Sequence, residues 1–118
     1  MRLRSVGANH DKDPRMKILI NTDHNLQSDA SVVRHVEDTV ENHLGRYAGQ
    51  VTRVEVHLRD ENAAKGGGHD KHCLMEARLE GRPPVAASDD AEALAVAING
   101  AAKKLQRALD HSLGRLGH

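Results

Sequence analysis

The sequence predicts an α+β domain of two layers: a four-stranded sheet with two helices packed on one face, in the order β-α-β-β-β-α. Three observations predict it. First, Val51–Asp60 and residues 72–80 alternate apolar and polar side chains with the period of two that marks a strand buried on one face. Second, residues 33–47 and 94–116 carry apolar residues at helical spacing with charges opposite. Third, each helix has only one apolar face. Stacking both on the apolar side of one sheet buries all of it and leaves the other sheet face polar.

The elements follow in order. Lys17-Ile18-Leu19-Ile20-Asn21-Thr22 is a short run rich in β-branched residues, which favours a strand, and Asp23-His24-Asn25 breaks it. Ser28 or Asp29 can cap the first helix by accepting from the open amides of its first turn. Val33, Val36, Val40, Leu44 and Tyr47 form its apolar face, with Arg34, Glu37, Asp38 and Glu41 opposite; Gly45 and Gly49 end it, and Tyr47 packs under the turn. In the next strand Thr52, Val54, Val56 and Leu58 point one way and Arg53, Glu55, His57 and Arg59 the other. Residues 62–70, with Gly66-Gly67-Gly68, make a flexible connection. Cys73, Met75, Ala77 and Leu79 then face inward and Glu76, Arg78 and Glu80 outward. Gly81-Arg82-Pro83-Pro84 turns the chain into a last strand, Val85-Ala86-Ala87-Ser88, and the prolines suit an edge or a strand start. Asp89 and Asp90 are expected to cap the final helix and oppose its dipole. Its core stripe is Leu94, Ile98, Ala101, Leu105, Leu109 and Leu116, while Asn99, Lys103, Lys104 and Arg107 look outward.

Composition narrows the class. At 118 residues the chain holds one domain, and with no Trp or Phe and only Tyr47 its core rests on Val, Leu, Ile, Met and Ala. Such a thin core invites weak self-association, so a weak homo-oligomer is an expectation. Residues 1–15 have no apolar run; they are expected to be a disordered lead-in rather than a secretory signal, with residues 16–118 as the single domain and Met16 a natural start. Lys+Arg and Asp+Glu number 17 each. Taking away the lead-in's four basic and two acidic groups leaves 13 against 15, a balance of −2, so any attraction to nucleic acid must come from local clustering. One cysteine, Cys73, excludes an internal disulfide and fits a reducing, cytoplasmic location. No apolar run approaches the roughly 20 residues that span a bilayer, so no membrane association is expected.

Candidate chemistry is sparse. Among nine histidines the best metal cluster is His69-Asp70-Lys71-His72-Cys73 with His57 on a neighbouring strand, but alternation sends His72 and Cys73 to opposite sheet faces. His35 and His43 read as rim residues of the first helix. The triglycine lacks the following helix and the Lys-Ser/Thr step of a phosphate loop. Ser88 lacks the strained elbow of a nucleophile. The expectation is therefore no enzyme, no metal, no cofactor and no small-molecule substrate. What remains is a basic stripe of Lys103, Lys104 and Arg107, extended by Arg115, which serves either the helix dipole and solubility or contact with RNA phosphates.

At these residues a family resemblance enters. The Val51-Thr52-Arg53-Val54-Glu55-Val56-His57-Leu58 strand after the first helix resembles the ribosome hibernation promoting factor and ribosome-associated inhibitor family, also called sigma-54 modulation proteins. So does the passage from Ala87-Ser88-Asp89-Asp90 to Lys103-Lys104-Leu105-Gln106-Arg107-Ala108-Leu109. The resemblance covers residues 16 to about 113. It implies a fold similar to double-stranded-RNA-binding domains. It also implies a translation regulator of bacterial stationary phase or stress that binds the small ribosomal subunit in the channel for messenger and transfer RNA. Lys103, Lys104, Arg107 and Arg115 would then meet ribosomal RNA phosphates. The longer members' C-terminal dimerisation domain is absent from this sequence, so the short form is expected. Two readings stay beside it. A diverged member could act as a protein-interaction or stress-response module without ribosome binding, through the acidic first helix. A small metal-binding protein or enzyme is the third.

Overall fold

The structure, a computed structural model, describes residues 2–5, 16–23, 29–60 and 71–114. The triglycine connection, His69, Ser28, Arg115 and Leu116 lie outside the described residues.

The four expected strands are β2 (Lys17–Thr22), β3 (Val51–Asp60), β4 (Lys71–Leu79) and β5 (Arg82–Ala91); the helices are α1 (Ala30–Leu44) and α2 (Leu94–Leu109). Inside the expected lead-in, Arg2–Ser5 forms a further strand, β1, paired antiparallel with β2. For residues 2–5 alone this differs from the disorder expected of the lead-in: the open edge of β2 offers unpaired backbone groups that a short segment can satisfy. The sheet order is β1-β2-β3-β4-β5. β2 and β3 run parallel, with α1 as the crossover that a parallel pair requires, and the later neighbours are antiparallel.

Ile18, Ile20, Val54, Val56, Leu58, Cys73, Met75 and Ala77 form the sheet's buried face, and Val36, Val40, Leu44, Ile98, Leu105 and Leu109 close over it. The polar face carries an ion network: Arg53 to Glu55 at 2.9 Å, Arg78 to Glu76 at 3.3 Å and Arg78 to Glu55 at 4.0 Å. Thr52, expected inward, is exposed. The register against β4 shifts between Val51 and Arg53, so Val51 takes the buried place and Thr52 Oγ1 donates to the Arg78 carbonyl at 3.1 Å.

Asp29 caps α1, its Oδ1 accepting from the Val32 amide at 3.0 Å. The expected cap of α2 is not there. Asp89 and Asp90 lie within β5, which continues pairing to Ala91 opposite Lys71, and α2 begins from Ala93, whose extended backbone makes no side-chain cap bond. The turn into β5 is Glu80-Gly81, with Gly81 at φ +75°, a conformation that favours glycine, and Pro83 and Pro84 sit on this edge strand.

Candidate nucleic-acid interface

The two helices lie side by side on the sheet, and their seam is apolar below and polar above. Thr39 Oγ1 donates to Asn99 Oδ1 at 3.3 Å, His35 Nε2 lies 3.1 Å from the same oxygen, and His43 Nδ1 lies 2.9 Å from Gln106 Oε1. At the far end the Tyr47 hydroxyl donates to Asp110, which also faces Arg46 at 3.8 Å; the Arg46 guanidinium lies 5.5 Å from the Tyr47 ring centre. Burial, with the Asp110 carboxylate beside it, pushes the Tyr47 phenol up from its ordinary value. His35 and His43 are therefore at the rim, as the helical period implied, and they also join the helices. Their partners stand some 60 residues away, beyond the reach of local spacing.

Above the seam is an open cleft of about 630 Å³, with His35, Asp38 and Asn42 on α1 and Val96, Asn99 and Lys103 on α2 among its walls. The solvent side of α1 carries Arg34, Glu37, Asp38 and Glu41; that of α2 carries Lys103, Lys104 and Arg107, all exposed. The basic stripe is not uniform. Lys103 and Arg107, one helical turn apart, project outward, and among the described residues neither has an ion-pair partner. Lys104 turns to the β5 side, where its Nζ donates to Asp89 Oδ1 at 2.9 Å. Local spacing does not reveal that pairing, because in sequence Asp89 reads as a helix cap.

Of the candidate metal cluster, the described members His72 and Cys73 do not converge. Cys73 is fully buried, and burial, aided by the nearby Asp89 carboxylate, pushes its thiol up to about 12, so it is a neutral core residue near pH 7. His72 lies on the other sheet face, with Nδ1 against Asp90 Oδ1. Among the described residues no group of three His, Cys, Asp or Glu side chains could hold a metal ion. No helix among them is long and apolar enough to cross a membrane.

A two-layer α+β domain displaying cations on the outer face of its last helix is the class that this fold and surface define. The family model described as "Sigma 54 modulation protein / S30EA ribosomal protein" matches residues 19–116, and the chain belongs to that family, one of ribosome-associated factors. Solved structures agree in fold. The Protein Y N-terminal domain of Thermus thermophilus superposes with a TM-score of 0.64 at 19% identity, over 79% of this chain and 94% of that one. A ribosomal subunit interface protein from Coxiella burnetii gives 0.68 at 11% identity, over 82% and 97%. No curated protein matches the chain by sequence.

Proposed function

We propose that this protein is a ribosome-associated translation inhibitor, a hibernation factor that binds the small ribosomal subunit through ribosomal RNA phosphates. The observation that carries the reading is the pair Lys103 and Arg107, exposed and without ion-pair partners among the described residues, on the outer face of α2 in a chain of this family. Lys104 and Arg115 complete the proposed set. The similar solved structure from Coxiella burnetii is that of a ribosomal subunit interface protein, which supports a ribosomal partner.

The mechanism is occupation. A rigid two-layer domain fills a site on the subunit, and ammonium and guanidinium groups hold it there by contacts to phosphate, which position a protein without reading base sequence. Nothing in this mechanism calls for a nucleophile, a proton donor or a cofactor, and the protein would act in the cytoplasm as part of a stress response. A second reading, a protein-interaction module, draws on the acidic solvent side of α1 with Glu37, Asp38 and Glu41.

Cosedimentation with small subunits over a salt series tests the proposal. Binding should weaken as salt rises, by about 0.7–0.9 logarithmic units per phosphate contact for each tenfold increase. The double variant Lys103→Glu plus Arg107→Glu should abolish it. Binding indifferent to both salt and charge reversal would refute the phosphate mechanism, and absence of subunit binding alongside capture of a defined protein partner would favour the second reading.

A further inference from the structure

Asp89 has no apparent business where it stands. It lies on the helix-facing side of β5, opposite Cys73 of β4, in a layer otherwise built from Val85, Ala87 and Ala91. Burying a carboxylate in that layer without a partner is costly. It escapes along the flank of α2, and Gly100 is what lets it pass. A Cβ added at Gly100 would stand 1.8 Å from Asp89 Oδ2 and 2.6 Å from its Cγ, so the carboxylate fills the space a side chain would take. From there Oδ1 accepts from Lys104 Nζ at 2.9 Å, with the lysine side chain 54% exposed and the aspartate 25%. A carboxylate oxygen thus holds an exposed ammonium as a phosphate oxygen would.

We propose that Asp89, admitted by Gly100, is an internal counter-anion that competes with RNA phosphate for Lys104 and so sets the affinity of the basic face. The inference rests on the reading that this face meets RNA. To contact a phosphate, Lys104 must either leave Asp89 or bring the carboxylate close to another anion, and each alternative subtracts from the contact. Because exposed ion pairs are weak, the competition tempers binding and does not block it. Lys103 and Arg107 bear the contact at full strength, and Lys104 is held in reserve.

The decisive variant is Gly100→Ala, which evicts the carboxylate without changing net charge. Small-subunit binding is measured over a salt series for the wild type, Gly100→Ala, Asp89→Asn and Asp90→Asn. The last makes the same charge change one residue away, on the opposite sheet face. Gly100→Ala and Asp89→Asn should each tighten binding several-fold and steepen the salt slope by about 0.7–0.9, one added phosphate. Asp90→Asn should do neither, and adding Lys104→Ala should cancel both gains. Asp89→Asn keeps the test open if Gly100→Ala does not fold, which circular dichroism reads. Unchanged slopes in the folded variants, gains that survive Lys104→Ala, or an equal gain from Asp90→Asn would overturn the inference while leaving subunit binding intact. No binding by the wild type or by any variant would overturn the reading it rests on, and the inference with it.

Discussion

The two helices share a sheet but not a design. α1 buries Val36, Val40 and Leu44, starts from a side-chain cap at Asp29, and shows a largely acidic side to solvent. α2 buries Ala97, Ala101 and Ala102 beside Ile98, Leu105 and Leu109, starts uncapped from Ala93, and shows cations. The alanines let α2 settle closely over β4 and β5. The difference teaches that three properties of an amphipathic helix have separate causes. The apolar stripe fixes where it lies, the incoming strand fixes how it starts, and the outer charges are left for a partner.

The largest effects should come where the helices are alike. Leu44→Ala on α1 and Leu105→Ala on α2 each remove a fully buried side chain and should each cost about 2–5 kcal/mol, measured by denaturant unfolding. Two comparable losses in single transitions would mean that both stripes serve one cooperative core. A cost below about 1 kcal/mol at Leu44 alone would set α1 apart from that core.

A smaller effect separates the starts. The Val32 amide, followed by the Ser31 hydroxyl, holds the Asp29 carboxyl below its ordinary value of 3.8. A carboxyl whose folded value is depressed contributes stability above its unfolded value and loses it as pH falls through the folded one. Asp29→Ala should therefore lower the melting temperature by a few degrees near pH 7. The gap between variant and wild type should narrow below pH 3.8, because the protonated cap is a weaker acceptor. A gap constant from pH 7 to pH 2 would mean that the cap's charge contributes nothing.

The fold was legible because its signals are local. Alternation in β3 and β4 and the helical stripes named the two layers, and they placed Val54, Met75, Val40 and Leu105 inward, where the structure has them. Departures arose wherever a residue's role depends on a distant backbone. Thr52 lost its inward place to a register shift against β4, and β1 pairs along the edge that β2 presents. The basic stripe could be read as Lys103, Lys104 and Arg107 from the helical period, but that period is blind to Asp89. The pairing that distinguishes Lys104 from its neighbours appears only once β5 lies beside Gly100.

The smallest expected effect tests the contrast in helix starts most directly. Asp90 looks in sequence like a cap for α2, yet it lies in β5, facing away from the helices, with its carboxylate against His72. Asp90→Ala should therefore leave α2 untouched. It removes one partly exposed pair on the polar sheet face, worth about 0–1 kcal/mol. Hydrogen exchange at the amides of residues 94–97 distinguishes the two roles. A lost cap would raise exchange in that first turn, as Asp29→Ala should do at the start of α1, whereas a lost strand-face pair would leave it as in the wild type. Faster exchange at Val96 and Ala97 in Asp90→Ala would mean that the carboxylate reaches the helix after all. The start of α2 would then be like that of α1, and the strand would no longer be the sole cause of where α2 begins.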